Sequence, residues 1–111
     1  MEMTTTPYKH CDLVKVKGRV DSATAPQLMD ELNSRVEEGR YKFVLDFSEL
    51  EFISSAGLRV LISIQKICKR YNRGEVVLSG VPTNIYSALD LAGFTSFFKL
   101  FPDSLTAVGN F

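Results

Sequence analysis

The sequence predicts an α/β domain built on a four- to five-stranded mixed sheet, with helices packed largely on one face. Three observations carry that expectation. Val14, Val16 and Val20 alternate with Lys15, Lys17 and Arg19, the period of a strand with one buried face. Directly afterwards the period lengthens, and Leu28, Leu32 and Val36 fall four apart on one stripe of a helix. The same change then repeats down the chain. Strand, helix, strand, helix, strand, helix, strand demands right-handed crossovers and a largely parallel or mixed sheet.

A short strand around Tyr8 is expected to precede the first long one, through a turn at His10, Cys11 and Asp12. The first helix has signals at both ends. Thr24 and Gln27 stand at capping-box spacing, Pro26 fits a first turn, and Gly39 can close the helix in a left-handed conformation. Phe43, Val44 and Leu45 form a continuous apolar run, as in a central strand covered on both faces. A loop from Asp46 to Ser54 and a second helix from Ser55 to Tyr71 are expected next. The apolar face of that helix comprises Gly57, Val60, Leu61, Ile64, Cys68 and Tyr71, and Arg59, Ser63, Lys66 and Arg70 form a polar stripe. After Gly74 comes a strand at Val76, Val77 and Leu78. Pro82 opens a third helix bearing Ile85, Leu89 and Ala92, ended by Gly93. Phe97 to Phe101 reads as a last strand. Asp103 or Ser104 can cap a short final helix carrying Leu105 and Val108.

Composition narrows the function. A chain of 111 residues is the size of one domain, residues 1–111, burying roughly two thirds of its unfolded surface. Thirteen Lys and Arg balance thirteen Asp and Glu, so no global field draws in nucleic acid or an anionic membrane, and only a local basic patch is left open. Cys11 and Cys68 are too few and too far apart for an oxidised secreted scaffold. His10 beside Cys11 offers two ligands, short of a structural zinc site, so both are read as surface-turn residues and no metal or cofactor is expected. No apolar run is long enough to span a bilayer, and the first residues are unlike a signal peptide. A soluble, cytoplasmic protein without membrane insertion is expected.

The usual catalytic arrangements are missing. There is no phosphate-binding glycine loop and no nucleophile elbow, and a Ser-His-Asp triad would have to use His10 in an edge turn. Glu37 with Glu38, and Glu49 with Glu51, read as solvated helix-end and loop residues. The chain is not expected to be an enzyme. The unusual segment runs from Leu45 to Leu58, where a buried strand leads to Ser54 and Ser55 and then to the small pair Ala56 and Gly57 at a helix start. Either serine can simply cap the helix. Alternatively, the exposed N–H groups and the helix dipole can carry a phosphate on serine without unfolding the helix. Gly57 costs about 1 kcal/mol of helix propensity relative to alanine, which points to a close approach by a strand or a partner.

Leu45-Asp46-Phe47-Ser48-Glu49-Leu50 through Phe52-Ile53-Ser54-Ser55-Ala56-Gly57-Leu58 resembles the signature of STAS domains, named for sulfate transporters and anti-sigma-factor antagonists. Upstream, the stretch from Gly18 to Pro26 resembles the family's first strand-to-helix junction. Downstream, Ser79 to Pro82 with Leu89, Leu91, Ala92, Gly93 and Phe94 resembles its third helix and following turn. The similarity runs from about residue 12 to the end of the chain.

The resemblance implies an anti-sigma-factor antagonist that acts by partner switching in stress-response transcription. Unphosphorylated, such a protein binds an anti-sigma factor serine kinase; phosphorylated, it is released; a metal-dependent phosphatase of the PP2C type resets it. The family's pattern of Asp, acceptor Ser, small residue and Gly places Ser54 at the Asp position, Ser55 at the acceptor and Ala56 at the small position. Arg59, often a small residue in the family, stands one helical turn from Ser55 and can pair with a phosphate there. By the same analogy Asp21 lies near Ser55, and Asp21, Ser22, Ser54, Ser55, Ala56, Gly57 and Arg59 form the partner surface of a monomer or weak dimer. The alternatives are a STAS regulatory subunit of a membrane (lipid) transport ATPase and a small-ligand-sensing STAS module.

Overall fold

The computed structural model describes residues 1–71 and 73–111. In chain order the elements are β1 (Glu2–Pro7), β2 (Asp12–Val20), α1 (Ala25–Glu37), β3 (Lys42–Asp46), β4 (Leu50–Ile53), α2 (Ser55–Cys68), β5 (Glu75–Ser79), α3 (Thr83–Leu91), a 3-10 turn at Thr95–Phe97, β6 (Leu100–Phe101) and α4 (Ser104–Gly109). The sheet order is β1-β2-β3-β5-β6, with β4 also on β2. Among the described residues only the β1–β2 pair is antiparallel; β2–β3, β2–β4, β3–β5 and β5–β6 are parallel. This is the expected mixed α/β sheet, with one strand more than expected among the described residues.

The extra strand is β4, inside the segment expected to be a loop. Its inward residues are Leu50 and Ile53, with Glu51 and Phe52 exposed between them, so it lacks the alternation that reveals a strand in sequence. Parallel pairing with Gly18, Arg19 and Val20 makes it a strand, at a register shift between Gly18 and Arg19. The first strand also differs: β1 ends at Pro7, and Tyr8 belongs to the turn, where its N–H donates to the Cys11 carbonyl at 2.8 Å.

Alternation along the central strands divides the interior in two. Phe43, Leu45, Val76 and Leu78 join Val14, Val16 and Val20 in the larger cluster under α1, α2 and α3. Val44 and Val77 point to the other face, where they meet Cys11 and Ala107 of α4. Helices therefore do lie largely on one face, and the continuous apolar runs of β3 and β5 follow from cover on both sides. Cys11 is buried in the smaller cluster while His10 is exposed, so only His10 fits the surface-turn reading. Burial raises the Cys11 thiol above its ordinary value and pushes Cys68 up to about 12, keeping both protonated at neutral pH.

The helix ends show which local signals prevailed. Gly39 does take the left-handed conformation, with φ +88°. The capping box forms three residues earlier than expected, between Asp21 and Thr24, and Thr24 makes no side-chain cap for α1. Helix α2 stops at Cys68. Tyr71 lies beyond it and is exposed, its ring stacked on Tyr41 at 3.7 Å. Ala92, just past α3, is also exposed.

The last strand is shorter than Phe97 to Phe101 because a side chain takes its place. Buried Gln65 of α2 accepts from the Val76 N–H at 2.7 Å and donates to the Val76 and Phe97 carbonyls at 3.0 and 2.7 Å. One amide thus supplies the ladder bonds that β6 does not reach, leaving Thr95–Phe97 free to turn. Helix α4 is capped by the Asp103 carboxylate, which accepts from the Thr106 N–H; Leu105 is exposed and Val108 packs on the smaller cluster.

Leu61, with Ile64 and Cys68, is fully buried on the inward face of α2. Leu61→Ala should lower the unfolding free energy by about 2–5 kcal/mol in urea denaturation. A loss below about 0.5 kcal/mol would contradict the burial of that face.

Candidate functional site

Parallel pairing of β2 with β4 brings two chain segments to one end of the sheet. Val20 pairs with Ile53, and the Ser54 N–H donates to the Val20 carbonyl at 2.8 Å. The next residues out are therefore Asp21 and Ser22 from one strand and Ser54 and Ser55 from the other. β4 leads into α2 through Ser54 and β2 into α1 through the turn at residues 21–24, so the N-termini of both helices lie at this end of the sheet, and the two helices pack together.

Asp21 is the keystone of the β2–α1 turn. Its carboxylate accepts from the Ala23 and Thr24 N–H groups at 3.0 and 3.1 Å, and its own N–H donates to the Thr24 hydroxyl at 2.9 Å. The backbone N–H of Thr24 is the main cause holding the Asp21 carboxyl below its ordinary value. The Thr24 hydroxyl, the Ala23 N–H and the Arg19 charge act in the same direction, and desolvation opposes them.

The two serines have different tasks. Ser54, extended at φ −87° and ψ 174°, is the N-cap of α2, and its hydroxyl accepts from the Gly57 N–H at 3.4 Å. Ser55, the first helical residue, is exposed, and its hydroxyl makes no hydrogen bond among the described residues. Arg59 is exposed on the same helix, in no ion pair among the described residues. Its spacing of four puts it on the face of Ser55.

Of the residues expected on the partner surface, Ala56 is half-buried and Gly57 is buried at the foot of α2. Ala56 packs on the larger cluster. A Cβ on Gly57 would stand 2.6 Å from Ile53 Cγ1 and 2.8 Å from Val20 Cγ1, distances that no relaxed packing allows. The glycine is there because helix and strand approach closely, and no partner is needed to explain it.

The sequence alone does not place Phe52 with these residues, and it pairs Thr24 with Gln27 rather than with Asp21. Phe52 is exposed beside the serines, and Arg19 of its paired strand lies over its ring, 4.3 Å from guanidinium carbon to centroid. Register alone joins these residues, so no local motif could have shown the contact. Behind β4, Asn84 of α3 donates to the Glu51 carbonyl at 2.9 Å and steadies the strand. The turn before it is held by Asp46, whose carboxylate accepts from the Ser48 N–H at 2.9 Å.

The sequence model described as the STAS domain matches residues 3–107. The chain belongs to the STAS domain family. A candidate anti-sigma factor antagonist of Bordetella bronchiseptica, BtrV, is 39% identical over 100 residues, covering 90% of this chain and 85% of that protein. The anti-sigma-F factor antagonist RsfB of Mycobacterium tuberculosis is 27% identical over 109 residues, covering 96% and 88%. Among solved structures, the anti-sigma factor antagonist SpoIIAA in its unphosphorylated form superposes with a TM-score of 0.86 at 11% identity, covering 98% of this chain and 95% of that one. At that identity the likeness shows the STAS fold. No helix among the described residues is long and apolar enough to cross a membrane, and no three His, Cys, Asp or Glu side chains group to hold a metal.

Two measurements check this STAS site. Ser54→Ala should cost about 0.5–1 kcal/mol in chemical denaturation, the low end for a lost cap, because the bond is long. Ser55→Ala should leave the curve unchanged, and equal losses would contradict the division of tasks. Because the Asp21 carboxyl is held low, its contribution is fully present above its ordinary value of 3.8 and lost as pH falls through the lower folded value. Asp21→Asn should therefore flatten the acid side of the melting-temperature profile; an unchanged slope would remove Asp21 from it.

Proposed function

We propose that this STAS protein is an anti-sigma factor antagonist, switched by phosphorylation of Ser55. The observation that carries the reading is the exposed hydroxyl of Ser55 at the first position of α2, without a hydrogen bond among the described residues, next to a second serine whose hydroxyl caps the helix. The antagonist names of BtrV and RsfB support the same reading.

In the free state the partner meets an uncharged hydroxyl within a patch made by Asp21, Ser22, Ser55, Arg59 and the exposed face of Phe52. The partner is an anti-sigma factor that is also a serine kinase. It transfers the γ-phosphoryl group of ATP to the Ser55 oxygen; the bond to the bridging oxygen of ADP breaks, and the serine proton leaves to a base of the kinase. The new group carries about −1.5 to −2 charges at neutral pH. The N-terminus of α2 and Arg59 stabilise it within the folded domain, so the fold persists. The partner cannot bury that charge without counter-charges, and losing about 3 kcal/mol weakens binding more than a hundredfold. A PP2C-type phosphatase restores the hydroxyl. The protein acts in the cytoplasm by binding, with no turnover of its own, and sets the availability of a stress-response sigma factor.

Incubation with the cognate anti-sigma kinase and ATP should add one phosphate, and tandem mass spectrometry should place it on Ser55. Ser55→Asp should keep the circular dichroism of the parent yet fail to capture the kinase. Ser55→Ala should bind the kinase and resist release by ATP. Phosphate confined to Ser54, or Ser55→Asp binding as tightly as the parent, would overturn the reading.

A further inference from the structure

The end of the sheet opposite Ser55 holds a recess of about 220 Å³, where the β1–β2 turn faces the connection between α1 and β3. Lys9, His10, Arg40, Tyr41 and Lys42 line it. Arg40 is fixed in place. Its Nε and Nη2 donate to the buried Asp12 carboxylate at 3.1 and 2.8 Å, and Nη2 also meets the Tyr8 and Cys11 carbonyls at 2.6 and 3.0 Å. Those bonds use the Tyr8 and Cys11 carbonyls of the turn, while Nη1 makes no hydrogen bond among the described residues. Asp12 balances one cation; neither Lys9 nor Lys42 is in an ion pair among the described residues. Tyr41 forms a firm wall, stacked on Tyr71 with ring planes 1° apart.

Stabilisation of a helix end does not account for this set. The last turn of α1 already has Arg35, and Lys9 and Lys42 come from the hairpin turn and from β3. Asp12 answers Arg40, and Glu75, the register partner of Lys42, is ion-paired to Lys99 at 3.6 Å, so gathering Lys9 and Lys42 beside Arg40 costs repulsion. A bound anion removes that cost and finds N–H donors on several sides. We infer that the recess walled by Lys9, His10, Arg40 and Lys42 is a binding site for a multivalent tetrahedral oxyanion, either inorganic phosphate or the phosphoryl group of a small metabolite. Lying at the far end of the sheet, it can be filled while the Ser55 surface is engaged.

Amide NMR titration of the whole protein with inorganic phosphate, against sodium chloride at matched ionic strength, tests the inference. A second titration with glycerol 3-phosphate separates a free ion from a phosphorylated small molecule. Saturable shifts are expected at residues 8–12 and 39–42, with residues 54–59 unmoved. Lys9→Gln with Lys42→Gln should weaken binding at least about tenfold, the loss of about 1.4 kcal/mol. Arg40 is left intact because it compensates Asp12, and the double variant should melt as the parent does in phosphate-free buffer. Shifts reproduced by chloride, shifts centred on Ser55, or affinity kept by the double variant would each overturn the site.

Discussion

The contact of Gly57 with Val20 and Ile53 sets the geometry of the rest. Two β-branched side chains from paired strands fill the space where a Cβ would be, so α2 sits down directly on β2 and β4. That seating does three things together. It buries Leu61, Ile64 and Cys68 over the sheet, presses α2 against α1, and fixes where the first residue of α2 emerges. Ser55 is exposed at a defined place because Gly57, two residues on, is buried. A binding surface built on a helix start needs such a rigid base, since an anion there is stabilised only by N–H groups that hold still.

Charge is arranged at the two ends of the sheet in different ways. At the serine end, carboxylates are used locally: Asp21 and Asp46 each organise a turn by accepting backbone N–H groups. At the opposite end, one carboxylate is buried and must be answered. Asp12 is 1% exposed, and Arg40 meets it at 2.8 Å while also gathering two carbonyls of the turn. Removing the arginine would strand a buried charge, an outcome far more costly than the pair's net worth. A net charge of zero therefore conceals two ends of unlike character.

Side chains also complete the backbone where strands fall short. Gln65 bonds to Val76 beyond the reach of the two-residue β6, and Thr5 donates to Glu31 at 2.6 Å, tying the edge strand β1 to α1. The Thr5 bond, with Arg35 in the same sense, holds the Glu31 carboxyl below its ordinary value. These are polar contacts between elements distant in sequence. They make the sheet one body without lengthening its strands.

The α/β class, the inward faces of α1 and α2, and the two-sided burial of β3 are written in the sequence. These depend on periodicity, which is local: 3.6 residues per turn and a strand alternation of two leave a mark wherever one face meets a core. The segment from Leu45 to Leu58 was legible too, as a strand leading to paired serines. Only the packed fold shows that Leu50–Ile53 is a strand, that Asp21 rather than Thr24 anchors the start of α1, and that Ser54 caps while the Ser55 hydroxyl bonds to none of the described residues. It alone laid Arg19 over Phe52, seated Gly57 against Val20 and Ile53, and gathered Lys9, Arg40 and Lys42 around one recess. Each of these rests on the register between β2 and its neighbours or on hydrogen bonds across a turn. Such partners are chosen by the competition of the whole fold for buried N–H and carbonyl groups, which no single stretch of sequence contains.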